Sequence, residues 1–134
     1  MWVRNVSEPS KIEVEIDKKI SDWCSIKGGT LEKTVEREIG RYVNRYRCIL
    51  PLASYVEVYV HEYSPRLSPA SKTLVRIDNV DFLVDGVKIS GNADSASFRF
   101  HERAGDLRIK KVNVREVDIK YNFNTDKMEV DIYG

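Results

Sequence analysis

Residues 30–47 read Thr-Leu-Glu-Lys-Thr-Val-Glu-Arg-Glu-Ile-Gly-Arg-Tyr-Val-Asn-Arg-Tyr-Arg, and the conformation of this stretch decides the fold. Its apolar positions Leu31, Val35, Ile39, Tyr42, Val43 and Tyr46 recur at spacings of three and four, which puts them on one face of a helix. Thr30 is a good capping residue at the start, after Gly28-Gly29, and Pro51 lies beyond the end. Glu32, Glu36 and Glu38 occupy the first half and Arg41, Arg45 and Arg47 the second, the order a helix dipole favours. Gly40 in the middle costs about 1 kcal/mol relative to alanine and marks a bend or a close contact. The spacing predicts one long amphipathic helix.

Upstream, Ile12, Val14 and Ile16 alternate with Glu13 and Glu15, the period of a short half-buried strand. Downstream of Pro51 the pattern is β. Val56, Val58 and Val60 alternate with Tyr55, Glu57, Tyr59, His61 and Tyr63, and Pro65 and Pro69 then bound a loop before a strand at 73–78. Asp85-Gly86 between two apolar runs is a hairpin signal, because a type I′ turn needs the positive φ that this pair accepts. Further strands are predicted at 95–101, 107–121 and 127–133. Within 107–123 the apolar phase runs odd, then even, then odd, flipping at Lys110-Lys111 and at Arg115-Glu116. Each flip predicts a bulge or break that curls the sheet. The last hairpin turns through Asn124-Thr125-Asp126 and offers an edge to a partner. The predicted fold is α+β, a single domain over 1–134: one long amphipathic helix packed on a strongly bent antiparallel sheet of about seven strands, in the order β-α-β6–7.

A chain of 134 residues with 42% hydrophobic and 32% charged residues has the make-up of an ordinary water-soluble globule. Its net charge of +1 gives no long-range pull on nucleic acid or anionic lipid, so any basic surface must be local. No glutamine is present, and the 22 Lys+Arg nearly balance the 21 Asp+Glu, a usage that predicts a thermophilic source. No apolar leader or membrane-length run is seen, which predicts a cytoplasmic protein without membrane contact. Cys24 and Cys48 are too few for a secreted scaffold; they read first as two half-buried thiols and second as a disulfide.

Three constellations are candidates for chemistry. Arg37, Arg41 and Arg45 recur every four residues, so on a helix they would share a face able to hold phosphates, or form a solvated face paired with glutamates. Tyr55, Tyr59 and Tyr63, with Glu57 and His61, form the non-aliphatic parity of one strand. If the strand holding Arg99 and His101 is its neighbour, His61 and His101 converge as a weak acid–base pair for phosphodiester cleavage; otherwise the tyrosines stack bases or bury against a second subunit. Trp23, Tyr42, Phe82, Phe98, Phe100 and Phe123 would line an apolar ligand pocket, or else make the core. No zinc, phosphate-loop or nucleophile-elbow pattern occurs, so neither metal nor cofactor is expected. The leading expectation is a non-catalytic interaction or scaffold module that self-associates or binds a protein partner. A nucleic-acid binder using the arginine stripe comes next, then a small hydrolase or nuclease with a histidine pair, or an apolar-ligand carrier.

Overall fold

The computed structural model describes residues 11–38, 41–63, 72–92, 98–100 and 107–134. The helix lies where a strand was expected: α1 spans Lys11–Ile26 and buries Ile16, Ile20, Trp23 and Cys24. Those four stand at spacings of four, seven and eight from the first, the stripe of a helix with one face on a core. Its end is set by backbone geometry. The Gly28 amide donates to the Ser25 carbonyl at 3.0 Å and the Gly29 amide to the Cys24 carbonyl at 2.9 Å, with Gly28 at φ 78°, the paired bonds of a Schellman stop.

The predicted long helix at 30–47 is instead a pair of strands. β1 (Thr30–Glu38) and the first half of β2 (Arg41–Tyr63) pair antiparallel from Thr30↔Ile49 to Glu38↔Arg41. A step of four fits a period of two as well as one of 3.6, so Leu31, Val35 and Ile39 suit either structure. β-branched Thr30, Thr34, Val35 and Val43, together with pairing partners on β7, tip the balance.

Six more strands follow: β3 (Lys72–Ile77), β4 (Val80–Val84), β5 (Gly86–Gly91), β6 (Phe98–Phe100), β7 (Leu107–Asn122) and β8 (Lys127–Tyr133). The sheet order is β4-β3-β2-β7-β8-β5, with β1 added to β2 and β6 to β7. All neighbours are antiparallel except β5 and β8, so the sheet is mixed. β2 and β7 run its full length, and their register shifts between Ile49 and Val56, opposite the stretch 111–116 of β7. Ala53 and Asn113 take positive φ there. Both predicted phase flips border this bend, since extra residues on β2 must be absorbed before inward side chains regain alignment.

β4 and β5 sit at the two ends of the sheet order, yet only Asp85 separates them in the chain. The sheet therefore rolls until its ends meet. Residues 80–91 pair with β3 by their first half and with β8 by their second, and the Asp85 amide donates to the Asp126 carbonyl at 2.8 Å. The predicted Asp85-Gly86 hairpin is thus a bend, because distant partners on each side outcompete local pairing. The hairpin of this region turns at Asp78-Asn79, where Ile77 faces Val80 and Asp78 takes φ 53°. β8 lies between β7 and β5, so the last hairpin leaves no free edge; its turn is where it was expected, with the Asn122 side chain accepting the Asn124 and Thr125 amides. The rolled sheet encloses Val56, Val58, Val75, Ile77, Val84, Ile109, Val117, Ile119, Val130 and Ile132, and α1 packs against this core.

The cysteines form a disulfide rather than two thiols, tying Cys24 at the end of α1 to Cys48 of β2. Gly29 is pressed against it: a Cβ there would lie 2.7 Å from the Cys48 Sγ and 2.9 Å from the Cys24 Sγ.

Candidate binding face

β2 alternates Val56, Val58 and Val60 into the core, which turns Tyr55, Glu57, Tyr59 and His61 outward. Register then decides their neighbours. Tyr59 stands opposite Arg76 of β3 on one side and Arg108 of β7 on the other; Arg76 faces Asp81 of β4, and Arg108 faces Arg99 of β6. One row across five strands therefore reads Arg99, Arg108, Tyr59, Arg76, Asp81. In the next row His61 faces Leu74, which faces Leu83; on the other side Glu57 faces Lys110.

The side chains of this face make two sets of contacts, one around Tyr59 and one between Arg76 and Asp81. The Arg108 guanidinium lies over the Tyr59 ring, 5.1 Å from its centroid. The Tyr59 and His61 rings are near-parallel at 9°, with centroids 6.3 Å apart. Arg76 clasps Asp81 through two bonds, Nε to Oδ1 at 2.6 Å and Nη2 to Oδ2 at 3.1 Å, and this hydrogen bonding holds the Asp81 carboxyl below its ordinary value. Leu83 is 58% exposed and Tyr55 40%. The phenol of Tyr55 is pushed up, first by burial and then by Glu57 and Asp78.

Arg37, Arg41 and Arg45 lie on strands and not on a helix face; Arg41 and Arg45 stand four apart on β2, and the side chains of Arg37 and Arg41 lie outside the described residues. Arg37 lies on β1 opposite Tyr42, Arg41 lies on β2 opposite Glu38, and Arg45 belongs to a ladder of ion pairs on the outside of the other half of the sheet. There Arg45 binds Asp118 through Nε and Nη2, at 3.0 and 2.6 Å, and Glu36 through Nη1 at 2.7 Å. Arg47 joins Glu116 at 2.9 Å and Glu32 at 3.3 Å. Acids of β1 and β7 thus flank arginines of β2. The Glu36 carboxyl is lowered by its hydrogen bond from Arg45, and Arg45 is raised by Asp118 and Glu36.

The strand holding Arg99 pairs with β7, and His61 pairs with Leu74 of β3. His101 and the side chains of Tyr63 and Arg99 lie outside the described residues. Of the six proposed pocket aromatics, Trp23, Phe82 and Phe123 belong to or pack against the core, the other reading they were given. Tyr42 is exposed, Phe123 packs edge-on against Tyr121, and the side chains of Phe98 and Phe100 are outside the described residues. Grooves of about 260 and 230 Å³ beside α1 are lined in part by Asp17 and Lys33 and by Glu15 and Lys19. Among the described residues no cluster of three His, Cys, Asp or Glu could hold a metal, and no helix is long and apolar enough to cross a membrane. Arg76, Asp81 and Arg108 are not among the candidates the sequence offers, and Lys110 is marked there only as a phase flip. Their outward parity on β3, β4 and β7 was the available signal, but it says nothing until register shows which rows they share.

Comparison with known proteins yields no matching family model, no matching curated protein and no matching solved structure.

Proposed function

We propose that this chain is a non-catalytic binding module for single-stranded nucleic acid, working through the outer face of β2, β3 and β7. The observation that carries the reading is the Arg108 guanidinium over the Tyr59 ring, beside His61 and in one row with Arg76. Aromatic rings offer stacking to any base, and cations alongside them take the phosphates, the two parts of a single-strand platform. Connectivity supports the same reading. Counting residues 80–91 as one strand, the ring runs β2, β3, β4/β5, β8, β7, so in chain order it is first, second, third, fifth, fourth, with third and fifth parallel. That is the strand order of the OB barrel, a five-stranded Greek-key barrel whose outer face takes oligonucleotides or oligosaccharides. Shared connectivity is an analogy and does not assign a ligand, so the argument for nucleic acid rests on the side chains.

Fluorescence polarisation with labelled single-stranded and duplex oligonucleotides at low and moderate salt tests it. Single strands bind with a slope of about −0.7 per phosphate contacted in log affinity against log salt. Tyr59→Ala costs about 1–3 kcal/mol, the contribution of one stacked base. A lack of single-strand binding at low salt sinks the proposal. A second reading, pairing of two copies through this face, draws on the exposed Leu83 and Tyr55. Mass measured across a wide concentration range, for wild type and Leu83→Glu, separates the two.

A further inference from the structure

We propose that Asp81 is an intramolecular competitor for the phosphate-binding fork of Arg76, so that the face discriminates nucleic-acid strands from single nucleotides. The inference rests on the nucleic-acid reading of the face. Arg76 is the cation directly opposite Tyr59, on the side away from Arg108, so a strand crossing the tyrosine runs from one arginine toward the other. Its fork is already filled. Nε and Nη2 donate in parallel to the two Asp81 oxygens, at 2.6 and 3.1 Å, the bidentate geometry that the same fork offers to a phosphate.

The clasp is built to be exchanged. Its two side chains are 45% and 47% exposed, where solvent and salt screen an ion pair to a small net value. Asp81 is fixed in place from behind: its backbone carbonyl accepts the Lys19 ammonium at 2.7 Å, and it faces Arg76 in the β3–β4 register. An isolated phosphate in solution must beat a carboxylate that is always present. A phosphate of a strand already held at Tyr59 and Arg108 arrives at high effective concentration and displaces it. Releasing Arg76 from Asp81 therefore adds a phosphate contact without adding a cation.

A double-mutant cycle tests the inference, with labelled fifteen-nucleotide oligothymidylate as the probe and thymidine monophosphate as competitor. The four proteins are wild type, Asp81→Asn, Arg76→Ala and the double variant, each checked for folding by circular dichroism; Asp81→Ser replaces Asp81→Asn if that variant does not fold. The expected result has three parts. Asp81→Asn binds about fivefold tighter, as expected for loss of one exposed ion pair, while its salt slope stays that of wild type, because the strand phosphate reaches Arg76 in both proteins. Arg76→Ala changes wild-type affinity by less than about twofold, yet cancels the whole gain in the Asp81→Asn background. The monophosphate competes more effectively against the Asp81→Asn protein than against wild type. If Arg76→Ala weakens both backgrounds by the same factor, the effect is general charge and the competitor role is overturned while the binding face stands. If no variant binds the oligonucleotide at low salt, the binding face itself falls and takes the inference with it.

Discussion

The Trp23 indole N–H donates to Asp78 Oδ2 at 2.7 Å, joining α1 to the β3–β4 turn across 55 residues of chain. The other Asp78 oxygen accepts the Glu57 amide at 3.1 Å, the Asp78 amide donates to the Glu57 carbonyl at 2.7 Å, and the Lys27 ammonium lies 3.3 Å from Oδ2. One carboxylate thus fastens helix, turn and central strand behind the binding face.

Asp78→Ala leaves the buried Trp23 donor and the Glu57 amide without their acceptor, and costs about 2–3 kcal/mol. Urea unfolding followed by tryptophan fluorescence measures it. A loss below about 0.5 kcal/mol would mean that water replaces the carboxylate.

Gly29→Ala inserts a methyl group 2.7 Å from one disulfide sulfur and 2.9 Å from the Ile49 carbonyl, with backbone on that side unable to yield. The expected cost is about 1–3 kcal/mol from overpacking. Reducing the Cys24–Cys48 bond, which closes a sequence separation of 24, costs about 3 kcal/mol on the loop-entropy account. Denaturant midpoints with and without reductant check both, and the alanine variant gains relative to wild type when both are reduced, because the sulfurs can then part.

Arg45→Ala leaves Asp118, only 3% exposed, without its counter-ion, and costs about 3 kcal/mol. Arg47→Ala, whose partners are more open, costs under about 1 kcal/mol. The Glu36 carboxyl, held below its ordinary 4.5 by the Arg45 hydrogen bond, adds stability that is present above that value and lost as pH falls through the lowered one. Melting temperature against pH should therefore drop on the acid side, and the drop should shrink in Glu36→Gln.

Burial pushes the Tyr46 phenol up to about 12, and burial with the hydrogen bond to Asp126 raises Tyr121 in the same direction. Raised values favour the protonated form, so this stability is full below the ordinary 10.0 and is lost as pH climbs toward 12. Tyrosinate absorbance should rise in two waves, the second together with loss of circular dichroism. All tyrosines ionising in one wave with the fold intact would show that Tyr46 is open to solvent.

How much of this was legible in the amino-acid order depends on whether a pattern separates period two from period 3.6. Val56, Val58 and Val60 do, and that strand lies where the alternation predicts it, with Tyr55 and Tyr59 outward. Leu31, Val35 and Ile39 do not, since steps of four satisfy both periods; the antiparallel pairing Leu31↔Cys48 and Lys33↔Tyr46 sets residues of opposite parity beside one another, which a single period cannot show. At 12–16 the alternation was real but short, while Ile16, Ile20, Trp23 and Cys24 carried the helical stripe. The face around Tyr59 was half visible: the tyrosine and histidine could be placed outward, but Arg76 and Arg108 join them only through pairings with separate strands. Such pairings depend on the rolled sheet as a whole, which no local window contains.

Closure of the ring through Asp85 also sets a timetable for synthesis. β2 is made early and finds β1 and β3 nearby, but its other flank waits for β7, as the 73-residue gap between Arg45 and Asp118 shows. β5, made before β7 and β8, pairs with β8. A nascent chain emerging from the ribosome therefore carries open strand flanks until β8 (Lys127–Tyr133) is free of the exit tunnel. Premature termination before β8 leaves those flanks exposed to other chains, so truncated products of this protein would be captured by chaperones or deposited as aggregates rather than persist as smaller folded units.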